Sequence, residues 1–505
     1  MRRILLFLLI TITLLLSLAF LFKVSTTHTD NIVIPVEESI EIKSYLIPVS
    51  SFNYYPNSIS MEELVAEKLV ALPRSKDVLD KILPETTIEY VSQEELKVRI
   101  DDGVLALLDE QGVTPDLKSL SINGDLFWSK SFNTDNTYPL VYVEQKPISQ
   151  VSNKELLEHK RVELFFTGEI IPARAVDRLA LNKNNNYTYM YDFFKDELNS
   201  ADISIGLLEN PISGDPFPCT GCMSFVGDAR NALGLKEVGF DILSLAGNHA
   251  GDGGQSAFAA TIKNLDEQGI KHTGVGNSDE TKLAPAIIDL DGWRIGMVSA
   301  DTVASYYWNP GTNYYGTNWF SKKSNAEIDM DRVQLLRQLK EDNDIDYLIA
   351  YMSWGVEYTN KATKFQQDLA HALIDNGVDL IVGSHPHWVQ NIEFYEETPI
   401  IYSLGNFLFD QNHTDPTRQA MNVMLYYYDN ELKSIELLPH LSCGPFISSR
   451  NITDDYLAGN ISMEDLMVNN ERNGCVYFQP LQLDQDSPVY KTILDRAMQH
   501  SSFNY

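Results

Sequence analysis

Asp379-Leu-Ile-Val-Gly-Ser-His385-Pro-His387 is the stretch that decides the fold, and Pro399-Ile-Ile-Tyr-Ser-Leu-Gly-Asn406 follows closely. Leu380 to Val382 is apolar without a polar break, the pattern of a strand buried on both faces of a parallel sheet. The run stops at Gly383 and delivers two histidines, one residue apart, into the loop beyond the strand's carboxyl end. In open α/β sheets that loop is where ligands bind. Proline between the histidines disfavours a helix, so both rings are expected near one point, as a metal site requires. Two solvent-exposed loop histidines are the plain alternative.

Other apolar runs end the same way. Val162–Thr167 leads to Gly168-Glu169, Ala201–Leu208 to Glu209-Asn210, and Phe240–Ala246 to Gly247-Asn248-His249 with Asp252 beyond. Asp346–Met352 leads to Ser353-Trp354-Gly355. Helical patterns at Gly254–Gln268, closed by Gly269, and at Thr363–Asn376 separate these runs. Strands alternating with helices are the signature of a layered α/β domain. Asp291-Gly292 and Asp429-Asn430 read as hairpin turns between strand-like arms.

Polar residues normally close strands, so one such end carries little information. Several in one domain place carboxylate, amide and imidazole along one sheet edge. That donor set suits one or two divalent ions of Mn, Fe or Zn. Such ions act as Lewis acids and lower the pKa of water for hydrolysis. Each residue also has a structural alternative: Asn248 and Asp252 could cap the following helix, and Glu169 could pair with Arg174 or Arg178.

The chain has 505 residues and a formal net charge of −31. Two domains are the starting expectation at this length, and the charge excludes nucleic acid as a natural partner, because phosphate backbones are gripped by basic surface. Met1-Arg-Arg precedes an uncharged run, Ile4–Phe22, long enough for a bilayer's hydrocarbon. No small-x-small cleavage pattern follows it, so the reading is an uncleaved signal anchor, with a cleaved signal peptide as alternative. The arginines would stay cytoplasmic. The chain is therefore expected in the cell membrane through residues 4–22, single-pass, with its bulk extracytoplasmic.

The expected organisation is a transmembrane helix over 1–23, a linker over 24–44, a small α+β domain over 45–143, a connector over 144–160, and an α/β domain over 161–500. Pieces of the small domain, Ser60-Met-Glu-Glu-Leu among them, resemble one lobe of a solute-binding-type fold; a docking or spacer domain is the alternative. The cysteines, Cys219-Thr-Gly-Cys222 with Cys443 and Cys475, read as structural disulfides in an exported protein. A redox motif or half a zinc site are the other readings of the CxxC.

Phe165-Phe-Thr-Gly-Glu169, Glu209-Asn-Pro-Ile-Ser213, Gly239–His249, Ser353-Trp-Gly-Val-Glu-Tyr358, Gly383–His387 and Tyr402-Ser-Leu-Gly-Asn-Phe407 together resemble the CapA family. These are capsule and poly-γ-glutamate synthesis proteins related in fold to calcineurin-like metallophosphoesterases. The resemblance covers about Arg161 to Gln411 and implies a four-layer α/β/β/α sandwich with metal ligands at one end of the strands. It implies Glu169, Glu209, Asn248, His385 and His387 as metal ligands. It makes His249 the proton donor to a leaving group, with Asp252 orienting its ring. Arg174, Arg178, Trp354 and Asn406 are the expected substrate contacts.

Three departures bear on the ion count. Glu169 stands where the family has Asp, Ser353 where it has the His of His-Trp-Gly, and Ser384 where it has the first His of His-His-Pro-His. The implied function is a membrane-anchored, extracytoplasmic protein of envelope polymer synthesis that hydrolyses a phosphoester or amide bond with a divalent metal. The alternative is a non-catalytic binding or scaffold subunit of the synthesis or export complex.

Overall fold

The structure, a computed structural model, describes residues 39–132, 138–151, 159–214, 223–304, 314–411, 414–442, 444–447, 450–451, 475–477 and 481–503. The expected membrane anchor at 4–22 and the cysteines Cys219, Cys222 and Cys443 lie outside these residues. Among the described residues, no helix is long and apolar enough to cross a membrane. The chain divides into two compact units, residues 1–42 with 143–157 and residues 43–142 with 158–505. The described part of the first unit is short and mostly extended, ending in a 3-10 turn at Ile148–Gln150.

The second unit begins with a small sheet. β1 (Ser39–Ser50), β2 (Leu69–Ala71), β3 (Ile88–Tyr90), β4 (Ala106–Asp109) and β5 (Lys118–Ser119) lie in the order β3-β2-β4-β1-β5. Leu46, Ile47, Val49, Val70 and Leu107 are fully buried or nearly so and form its core. The helix Met61–Ala66 opens on a capping box, with Ser60 and Glu63 satisfying each other's backbone N–H.

From Arg161 the chain builds a mixed α/β fold on two larger sheets. In the first, β6 (Arg161–Ile170), β7 (Ile203–Leu208), β8 (Ile242–Ser244) and β9 (Lys271–Thr273) run parallel. The hairpin of β10 (Gln419–Tyr428) and β11 (Glu431–Leu441) adds antiparallel on the other side of β6. The hairpin turns through Asp429 at φ +53° and Asn430 at φ +67°, a left-handed pair that short polar side chains tolerate. In the second sheet, β12 (Trp293–Asp301), β13 (Tyr347–Ser353), β14 (Leu380–Ser384) and β15 (Thr398–Ile401) are parallel.

Alternation along the strands decides what lies between. Leu164, Phe166, Ile205, Leu207 and Val423 of the first sheet share one apolar core with Met297, Ile349, Tyr351 and Val382 of the second. The opposite face of the first sheet, Phe165 and Leu243 among it, packs on helices α1 (Ala175–Asn182), α2 (Asn231–Glu237) and α3 (Gly254–Gln268). The opposite face of the second packs Val298, Leu348 and Ile381 on α4 (Leu335–Asp342) and α5 (Lys364–Asp375). α3 ends at Gly269 in the left-handed conformation, and α5 starts on a Thr363/Gln366 capping box, both where the sequence pattern puts the boundary.

Backbones approach closely at the carboxyl ends of these parallel strands. A Cβ on Gly168 would collide with the Gly405 carbonyl, and one on Gly383 with the Tyr402 carbonyl and the Trp354 indole. These glycines admit the backbone approach that brings β6, β14 and the 402–406 turn to one place.

Candidate metal centre

Glu169, the penultimate residue of β6, is fully buried. Its Oε1 accepts from the Ser384 hydroxyl at 2.9 Å and from the His385 backbone N–H. Its Oε2 lies 2.5 Å from Nδ1 of His387. The same Nδ1 faces Oδ1 of Asn406 at 2.9 Å, so one ring nitrogen meets two oxygens. Glu209 enters from the end of β7, one strand over. Its ligand oxygen, one from Glu169 and one nitrogen of His387 lie within 4.8 Å of one another.

Glu209 is the telling residue. It is fully buried, and among the described residues neither carboxylate oxygen makes a hydrogen bond of ordinary geometry; its nearest polar company is the other carboxyl, Glu169. An unpaired carboxylate in the interior costs several kcal/mol, roughly, unless it is neutralised or coordinated. Burial, and then the negative charge of Glu169, push its pKa well above the usual carboxylate range. Burial acts the same way on Glu169, but the neighbouring His387 outweighs it and holds that carboxyl down at about 2. In His387 the opposition runs the other way: burial disfavours the charged ring, yet Glu169 raises its pKa. Two buried carboxylates and an imidazole in one pocket suit a divalent transition ion. The orphaned oxygens of Glu209 are where its charge would be met.

The other residues form a second group around this core. His385 does not join the three-residue cluster: its Nδ1 faces Oδ1 of Asn248 at 3.2 Å, and its ring centroid stands 6.0 Å from that of His387. Burial lowers its pKa to about 3, which keeps the imidazole neutral and able to donate a lone pair. His385 has φ +93° and His387 φ +59°. Non-glycine residues there carry strain on the order of 1–3 kcal/mol each, the kind of cost found where a site fixes its ligands.

His249 and Asp252 form a hydrogen-bonded pair, Nδ1 to Oδ2 at 2.8 Å. The same oxygen accepts from the Phe225 N–H at 2.6 Å. Asp252 therefore does not cap α3, whose N-cap is Gly253. The Phe225 ring meets His249 edge-on at 4.4 Å. Arg174 does not pair with Glu169. Its guanidinium is bound to both oxygens of Asp410 and lies over Phe225 and Phe409. It is half-buried beside the rim, at φ +55°. Arg178 is exposed on α1.

Two expected substrate contacts, Trp354 and Asn406, are buried and bonded within the protein. Trp354 is fully buried, donates from its indole to the Tyr402 carbonyl at 2.9 Å, and packs in the core between the second sheet and α5. No part of it reaches solvent, because the strand it follows carries it inward. Asn406 is also fully buried. Its amide donates to Gln411 and to the Thr417 carbonyl while its oxygen meets His387, so it positions the histidine from behind.

The sequence pattern missed Asp301. It ends β12 in register with Ser353 and, through it, with Ser384. It accepts from the N–H groups of Val303 and Ala304, and burial raises its pKa to about 7. The signal was the same as elsewhere, an apolar strand closed by an acid, but here the strand reads as a hairpin arm ending at Val298. Ser353, where the resembled family has histidine, is buried, and among the described residues its hydroxyl has no hydrogen-bond partner.

Residues 163–411 match the family model described as "Bacterial capsule synthesis protein PGA_cap". The chain is 25% identical over 291 residues to the capsule biosynthesis protein CapA of Bacillus anthracis, covering 56% of this chain and 68% of the relative. It is 28% identical over 280 residues to the PGA biosynthesis protein CapA of Bacillus subtilis (strain 168), covering 54% and 70%. Among solved structures, the NAD nucleotidase of Haemophilus influenzae superposes with TM-score 0.31 and 12% identity over 56% of this chain and 51% of that one. That superposition is too loose to bear on the chemistry.

Proposed function

This chain belongs, through residues 163–411, to the CapA family, and on that premise we propose that it serves capsule or poly-γ-glutamate-type polymer synthesis as a metal-dependent hydrolase. The two-sheet packing supports the four-layer α/β/β/α metallophosphatase-like arrangement. The run Ile4–Phe22 supports membrane anchorage, with the bulk of the chain outside the cell acting on an envelope polymer or within its synthesis complex. The observation that carries the hydrolase reading is Glu209: a fully buried carboxylate with no ordinary hydrogen bond among the described residues, beside Glu169 and His387.

Glu169, Glu209 and His387 would hold a divalent ion of Mn, Fe or Zn, with Asn248 and His385 adjoining. Bound there, it supplies Lewis acidity toward a phosphoryl or carbonyl oxygen and makes water a better nucleophile. The protein's own residues do the rest. Asp252 accepts the Nδ1 proton of His249 and fixes the ring, leaving Nε2 to pass a proton to the leaving group. Ser384 and the His385 N–H orient Glu169. Arg174, drawn away from Asp410, offers a cation for an anionic part of the substrate. Phe225 and Phe409 flank the guanidinium and hold it at the rim.

Ser353 favours one second reading. With a serine in place of a nitrogen ligand, the chain binds the polymer or its synthesis partners without turnover. Hydrolysis of bis-p-nitrophenyl phosphate by the full chain with added Mn²⁺ separates the two. The hydrolase reading expects turnover that Asp252→Asn lowers 10- to 100-fold while metal content stays unchanged. Bound metal without any turnover leaves the binding role.

A further inference from the structure

A second polar cavity, of about 190 Å³, lies away from the rim, between the small N-terminal sheet and the β10–β11 hairpin. Its walls come from both: Lys118, Ser119, Ser121 and Ser129 on one side, Ser434 and Glu436 on the other. Only Leu126 and Ile435 are aliphatic among the residues that line it.

Lys118 is 7% exposed. Its ammonium donates to the carbonyls of Tyr54 at 2.7 Å and Tyr55 at 3.0 Å. That leaves one of its three N–H groups unused by these bonds. Among the described residues it makes no ion pair. A buried ammonium served by neutral carbonyls alone retains an uncompensated charge, which a fold tolerates poorly without a counter-charge. Burial accordingly draws its pKa down to about 7, against the opposing influence of the Glu436 charge. Glu436 is engaged elsewhere. It accepts from Asn57 at 3.0 Å and from the Tyr426 hydroxyl at 2.7 Å, which aims it along the cavity wall.

The lining thus holds one cation and one anion, not paired with each other, among hydroxyls that both donate and accept. We infer that this cavity binds a small zwitterion of amino-acid size, its carboxylate against Lys118 and the Ser119 hydroxyl, which accepts from Trp128 and keeps its own proton to donate, and its ammonium against Glu436. The volume supports that class. It falls below the roughly 300–1,000 Å³ of sites for drug-sized ligands. The lining is net neutral, so a lone carboxylate would leave Glu436 opposing it, and a lone amine would leave Lys118. A sugar would satisfy the hydroxyls but neither charge.

Bridging both walls, such a ligand would stiffen the junction between the small sheet and the sandwich. It would add to bonds already there, among them Asn57 to Glu436, Ser129 and Lys130 to Glu163, Lys130 to Asp202, and Arg161 to the Phe127 carbonyl. The inference stands independently of the metal centre.

Calorimetric titration of the full chain with L-serine and L-glutamine tests it. Acetate, ethylammonium and glucose are the comparison probes. At least one amino acid is expected to bind, with acetate and ethylammonium at least tenfold weaker and glucose silent. Lys118→Met, which keeps bulk and removes charge, should weaken binding at least tenfold. Ser434→Leu, filling the cavity from the opposite wall, should abolish it, and metal content should be unchanged in both variants. Failure of both amino acids to bind overturns the proposal. So does equal binding of acetate or glucose, or binding that neither substitution alters.

Discussion

Glu209 and Lys118 are both buried ionisable side chains, and neither makes an ion pair among the described residues. Their surroundings separate them. Glu209 sits among other donors of negative or lone-pair character, Glu169 and His387, on the rim where parallel strands of two sheets end. Lys118 sits among carbonyls and hydroxyls at the seam of two substructures, with one acid opposite. An uncompensated charge says only that a counter-charge is wanted. The donor set around it says which: a multivalent cation where several anionic donors converge, and a small polar organic ion where a single charge faces an opposite one across hydroxyls.

The contrast breaks first at the rim if it breaks at all. An ion that binds only the folded chain, added at one hundred times its dissociation constant, stabilises by about 2.7 kcal/mol. Mn²⁺ or Zn²⁺ should raise the unfolding free energy of chelator-treated protein by that order, and Glu209→Gln should reduce the gain toward zero. Denaturant titrations with and without metal measure it. An equal gain in the variant would move the ion elsewhere.

The seam makes a prediction in pH. Lys118 is lowered from 10.5 to about 7 in the fold. Between those values the unfolded chain keeps a proton that the folded chain has released, so this group's contribution to stability rises with pH. The slope is at most about 1.4 kcal/mol per pH unit. Comparing unfolding of the parent chain and Lys118→Met from pH 7 to 10 isolates it: the parent should gain on the variant as pH rises. Parallel curves would show that Lys118 keeps its proton and has a counter-charge already.

The smallest effect sharpens the distinction between site and scaffold. Trp354→Phe removes one buried hydrogen bond to the Tyr402 carbonyl. A loss of about 1 kcal/mol is expected, with metal affinity unchanged. A tenfold fall in metal affinity would return Trp354 to the site.

How far the sequence foretold this follows from what local pattern can encode. Strand ends at Glu169, Glu209 and His387 were legible because an apolar run closed by a donor is a one-dimensional signal. The His249–Asp252 pair was legible for the same reason, three residues apart. Which donors meet was not. His385 and His387 are two residues apart and both at positive φ, yet one ring meets Asn248 and the other Glu169. Trp354 and Asn406 lie within site motifs, but their direction depends on the packing of α5 and of the 402–406 turn, which no spacing reports. Asp301 is masked in the sequence by the Asp291-Gly292 turn, whose hairpin signal draws the strand's end back to Val298. The serine-lined seam is assembled from residues more than three hundred positions apart.

The central claim is that Glu169, Glu209 and His387 form a cation site. Elemental analysis of the purified full chain and of Glu209→Gln, after equilibration with Mn²⁺ and Zn²⁺ and removal of excess, tests it most directly. The account predicts about one tightly held divalent ion per parent chain and a near-complete loss in the variant, with the fold retained. A parent chain that holds none, or a variant that holds as much as the parent, would contradict it.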